Sequence, residues 1–111
     1  MSPDAKVEVL QPQGILDGTK ASEFRQEITN LVDKGAKIIL IDCTDVTFMD
    51  SSGLGSFVLA LKTVRAAGGK LALCSINDQL RMLFELTSMD RVFDIFANRE
   101  DFDSNYAAQS S

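Results

Sequence analysis

The segment Val46–Phe57, reading VTFMDSSGLGSF, sets one carboxylate and two hydroxyls, Asp50, Ser51 and Ser52, where a β-branched run gives way to an apolar helical pattern. A hydroxyl at the start of a helix meets unpaired backbone N–H groups and the positive end of the helix dipole, so it can cap the helix or carry an anion. As a cap it contributes about 1 kcal/mol. As a phosphoacceptor it would bring roughly 1.5 to 2 negative charges beside Asp50 and change the surface without unfolding the domain. From the residues alone, either serine fits both roles. Nucleophilic catalysis by the same hydroxyls needs a base, and the chain has no histidine. Only lysine variants built on Lys20 or Lys62 are left, so an enzyme is the weaker reading.

Other side chains with chemical potential read more plainly. Asp17, Asp45 and Asp50 offer oxygen ligands but lack the loop spacing of a calcium site; they are expected to be solvated acids, with no metal or other cofactor. Cys43 and Cys74 each close a strand-like apolar run, the pattern of buried, reduced thiols in an intracellular protein. Gly53 and Gly55 fall in the first turns of the helix that follows Asp50. Glycine there costs up to roughly 1 kcal/mol against alanine, which points to a packing or approach reason, close contact with another backbone being one. Leu59 lies on the same flank as Ser52, Gly55 and Ser56, an apolar side chain beside a groove of small residues, on the face expected to point away from the core.

These residues need a scaffold, and the patterning describes one. Lys6–Leu10 alternates polar and apolar, and after the Gln11–Gly14 turn Ile15-Leu16 is expected to pair back as a hairpin. Ala21, Phe24, Ile28, Leu31 and Val32 recur at helical steps, with Thr19 or Ser22 as cap and Gly35 past the end. Lys37–Ile41 is a continuous β-branched run, as in a central strand. From about Ser51 to Ala67, Leu54, Phe57, Val58, Leu61 and Val64 form one stripe, stopped by Gly68-Gly69. Lys70–Cys74 is a further strand, Asn77 caps a helix carrying Leu80, Leu83 and Phe84, and Val92–Phe96 alternates as a last strand. Strands alternating with helices give an α/β layered fold.

The chain as a whole bounds its partners. Its 111 residues support one core, and 11 basic against 16 acidic residues give a net charge of −5 with no basic stripe. Nucleic acid is therefore not an expected ligand. The longest apolar runs fall far short of the roughly 20 residues that span a bilayer, and no secretory signal pattern opens the chain, so membrane insertion is not expected and the protein reads as cytoplasmic.

VTFMDSSGLGSFVLALK resembles the signature of the STAS domains, in particular the bacterial anti-sigma-factor antagonists of partner-switching pathways. Gly14-Ile15-Leu16-Asp17 is similar to that family's Gly-Glu-Leu-Asp strand end, and AGGKLALCSINDQLRMLFELTSMDRVFDIF to its second half, so the likeness spans roughly residues 5–97. It implies a mixed β-sheet of about four to five strands with about four helices packed mainly on one face. That fold would form a single domain over residues 1–111, with a core at about 5–97 and a polar tail at 98–111.

The same resemblance implies a regulator in place of an enzyme. Ser51 would be the phosphoacceptor, with Asp17, Met49 and Asp50 beside it and Ser52, Gly53, Gly55, Ser56 and Leu59 completing the partner face. The unphosphorylated form would bind an anti-sigma factor that is also its serine kinase, of ATPase-type fold, and so free a sigma factor. Phosphorylation would end that binding, and a metal-dependent serine/threonine phosphatase would restore it. STAS-like domains also act as scaffold subunits of stress-signalling assemblies and as accessory subunits of membrane transport systems, an alternative use of the same fold. Two positions depart from the family pattern: Ile15 stands for the usual glutamate, and Ser88-Met89 replace a glycine and leucine at the end of the third helix. The second departure asks a non-glycine residue to reverse the chain.

Overall fold

The computed structural model describes the backbone of residues 7–110 and the side chains of residues 7–105. Lys6 and the residues before it, which the expected first strand and core include, lie outside the described residues, as does Ser111. In chain order the elements are β1 (Val7–Leu10), β2 (Gly14–Leu16), α1 (Gly18–Asp33), β3 (Ile38–Asp42), β4 (Val46–Met49), α2 (Ser51–Ala66), β5 (Lys70–Cys74), α3 (Asp78–Leu86), a 3-10 turn at Met89–Arg91, β6 (Asp94–Phe96) and α4 (Arg99–Ser110). Four strands form a sheet in the order β1-β3-β5-β6, every pair parallel, and β2 and β4 form a separate parallel pair.

Side-chain alternation in the central strands builds two layers of core. Ile39 and Ile41 of β3 and Leu71 and Leu73 of β5 join the larger cluster, with Phe24 and Ile28 of α1, Phe57, Leu61 and Val64 of α2, and Leu80 and Phe84 of α3. Leu40 of β3 and Ala72 and Cys74 of β5 point to the opposite face, where Phe102 of α4 covers them. The polar segment after Asn98 thus contributes a helix whose Phe102 sits edge-on to Phe96, ring centroids 5.5 Å apart. Ile39, Leu40 and Ile41 have no exposed surface, and each contributes roughly 1.5–3 kcal/mol by burial. No helix among the described residues is long and apolar enough to cross a membrane.

The α/β layering and the four helices match expectation, while the pairing of the opening strands does not. Ile15-Leu16 do not fold back on β1: Leu16 lies beside Met49 and Ile15 beside Phe48, with a register shift after Gly14. A short-range hairpin loses to burial, because beside β4 the side chain of Leu16 reaches the core and is only 4% exposed. The last strand is also shorter than its alternation suggests. Phe93 donates its N–H to the Met89 carbonyl at 3.2 Å and so belongs to the turn, its ring 5.6 Å from that of Phe84. Ser88 does make the chain reversal, at φ 61°.

Candidate functional site

Helix α2 is capped by Asp50, where the pattern had pointed to Ser51 or Ser52. Asp50 is extended (φ −103°, ψ −173°), and its Oδ1 accepts the N–H of Gly53 at 2.9 Å. Its own N–H donates to the Leu16 carbonyl at 3.2 Å, tying the start of α2 to the end of β2. Gly53 makes that contact possible. A Cβ at this position would stand 2.2 Å from the Leu16 carbonyl oxygen and 3.0 Å from Met49 Cγ. With the cap provided by a carboxylate, both serine hydroxyls are released: Ser51 and Ser52 are exposed, and among the described residues neither hydroxyl has a hydrogen-bond partner.

Helix α1 begins in the same way and at the same place. Asp17, and neither Thr19 nor Ser22, is its cap, the carboxylate accepting the Thr19 N–H at 3.0 Å and the Thr19 hydroxyl at 2.5 Å. These bonds hold the Asp17 carboxyl below its usual range, the Thr19 hydroxyl being the largest cause. The two helices then run together, Phe24 stacking on Phe57 at 5.0 Å. A Cβ on Gly18 would be 3.8 Å from Ser52 Oγ, so the two helix starts are neighbours.

Between these helices runs a groove of about 670 Å³, lined by Ser51, Ser52, Gly55, Ser56 and Leu59 from the expected set, by Ala21, Leu54 and Val58 as apolar wall, and by Thr87 and Met89 just after α3. Arg25 is the one cationic side chain in its lining. Leu59 stands 45% exposed. Three expected contact residues are part of the foundation. Met49 is wholly buried and Gly53 is buried in the first turn. Ser56, expected on the outward face, is only 7% exposed because its hydroxyl donates back to the Gly53 carbonyl at 2.6 Å, a local bond that turns a serine inward. Asp17, Asp45 and Asp50 do not form a three-ligand metal cluster among the described residues.

The two thiols are buried, unpaired and on opposite faces of the sheet. Burial pushes the Cys43 thiol up to about 12 and raises that of Cys74 as well. Neither is poised as a nucleophile.

Two contacts to β4 escaped the sequence reading, one from Asn77, read there only as a cap, and one from Gln79. The outer edge of β4 has no strand beside it, and side chains from the start of α3 fill the place. Asn77 caps α3 by accepting the Leu80 N–H at 2.9 Å and also donates to the Val46 carbonyl at 3.0 Å. Gln79 accepts the Met49 N–H at 2.8 Å and donates to the Met49 carbonyl at 2.9 Å. Asn77 signalled itself as a cap, whereas nothing local marks a glutamine that reaches 30 positions back along the chain.

Sequence and structure comparisons agree with this architecture. The chain is 37% identical over 87 residues to the anti-sigma-B factor antagonist of Bacillus subtilis, covering 78% of this chain and 79% of that protein. The anti-sigma-B factor antagonist of Listeria monocytogenes is 34% identical over 82 residues, 74% of this chain and 72% of that one. The crystal structure of a putative anti-sigma factor antagonist from Thermotoga maritima superposes with a TM-score of 0.83 at 29% identity, over 89% of this chain and 86% of that one. The pattern of the STAS domain matches residues 4–102. On that match, which takes in both capped helix starts and the groove between them, the chain belongs to the STAS domain family.

Proposed function

We propose that the protein is a partner-switching regulator whose unphosphorylated form binds an anti-sigma factor that is also its serine kinase, of ATPase-type fold, and thereby releases a sigma factor. Phosphorylation of Ser51 ends the binding, and a metal-dependent serine/threonine phosphatase reverses it. The observation that carries this reading is the Ser51 hydroxyl. It is exposed at the first residue of α2, without an internal partner among the described residues, beside the Asp50 carboxylate and at the mouth of the groove. The names of the relatives support an anti-sigma factor as the partner class. The chain acts as substrate and ligand, and its sequence lacks histidine, the usual base for a serine nucleophile.

The switch is electrostatic. A phosphoryl group of roughly −1.5 to −2 charge on Ser51 would enter the interface next to Asp50, and repulsion and desolvation would weaken the complex tenfold for about every 1.4 kcal/mol. No change of fold is needed. The test is incubation with an extract of the source cells and ATP, followed by intact mass and peptide mapping. One phosphate on Ser51, lost in Ser51→Ala, is the expected result. No phosphate on the wild-type chain, in an extract that phosphorylates a known substrate of such a kinase, would overturn it.

A further inference from the structure

The two residues before Ser51 are gripped from both sides. Asp50 gives its N–H to Leu16 on the β2 side, and Met49 turns both its backbone groups the other way, onto the single side-chain amide of Gln79. A side-chain amide sets an accepting oxygen and a donating NH2 side by side in one plane, so it replaces a neighbouring strand at one residue of β4. The helix that carries Gln79 is itself anchored, with Leu80 and Phe84 wholly buried and Asn77 bonded to the Val46 carbonyl.

We propose that Gln79 is a positioning residue for the phosphoacceptor, holding Met49 and through it the Asp50–Ser51 step so that the Ser51 hydroxyl is presented to the kinase in one fixed place. The inference deepens the reading of Ser51 as acceptor and rests on it. Gln79 sits outside the groove lining, so its loss acts on the turnover of a bound substrate and leaves docking intact. Displacing a reacting atom by 1 Å costs up to about a hundredfold in rate.

The test is Gln79→Met, which keeps length and volume and removes both bonds. With an extract of the source cells as kinase source, initial rates of Ser51 phosphorylation over a range of substrate concentration should show kcat down at least tenfold with KM within twofold of wild type. Amide hydrogen exchange should quicken at residues 49–53 and stay unchanged in β3 and β5. Leu40→Val, a core change on the far face of the sheet that also lowers the melting temperature, should leave kcat at the wild-type value, separating presentation from general stability. A wild-type kcat in Gln79→Met overturns the proposal while the phosphoacceptor reading stands. If the wild-type chain takes no phosphate, that reading fails instead, and unchanged exchange at residues 49–53 in Gln79→Met would overturn the grip on its own account.

Discussion

Alanine at Gly53 and alanine at Gly55 should move stability in opposite directions, although the residues are two apart in one helix turn. A methyl group at position 53 would stand 2.2 Å from the Leu16 carbonyl oxygen and 2.9 Å from its carbon, and both are backbone atoms of a paired strand. The helix gains up to about 1 kcal/mol from alanine's propensity. Overpacking typically costs about 1–3 kcal/mol, and a contact of 2.2 Å with a backbone oxygen puts the cost at the upper end, so Gly53→Ala should lose about 2 kcal/mol net. At position 55 a methyl group meets nothing within 4 Å, leaving only the gain in propensity, about 0.5–1 kcal/mol. For a domain of this size each kcal/mol moves the melting temperature by roughly 4–8 °C, so Gly53→Ala should melt about 10 °C lower and Gly55→Ala about 4 °C higher. Thermal melts followed by circular dichroism, with urea titrations to check that the slope is unchanged, read both values. Shifts of the same sign would refute the claim that α2 is seated directly on the end of β2.

Further outcomes follow from the same geometry. Ser88→Gly should stabilise by about 1 kcal/mol, measured by urea denaturation, because Ser88 holds φ 61°, a region that costs a side chain roughly that much. The lowered Asp17 carboxyl stabilises the fold fully above the unfolded carboxylate range, and that contribution fades as pH falls through the still lower folded value. Urea midpoints of wild type and Asp17→Asn should therefore differ near neutral pH and converge in strong acid. A thiol-specific reagent at pH 8 should label neither cysteine in the folded chain and both in urea, given the buried thiols and a Cys43 value of about 12.

Where residues act through their neighbours in sequence, the structure was legible beforehand. The β3 strand announced itself by an unbroken Ile-Ile-Leu-Ile run, and α2 by apolar positions at helical spacing, because burial of one face imposes its period directly on the chain. The glycine at position 53 flagged a close approach because it is costly in a helix, and the approach exists; Gly55 carried the same flag and has open space around it. What stayed hidden depends on distant partners. Two aspartates took the caps offered to serines and a threonine, since an aspartate just ahead of them in the chain competes equally well for the helix's first N–H groups. The pairing of β2 with β4, the inward turn of Ser56 and the reach of Gln79 to Met49 are decided by which elements pack together, information that no window of sequence holds.

The most direct test is a binding titration of the purified anti-sigma factor proposed as partner and kinase against two preparations of this chain, unphosphorylated and phosphorylated on Ser51. The phosphorylated form should bind at least about a hundredfold more weakly, the equivalent of about 2.8 kcal/mol. Equal Kd values for the two forms would contradict the claim that charge on this one hydroxyl decides whether the complex forms.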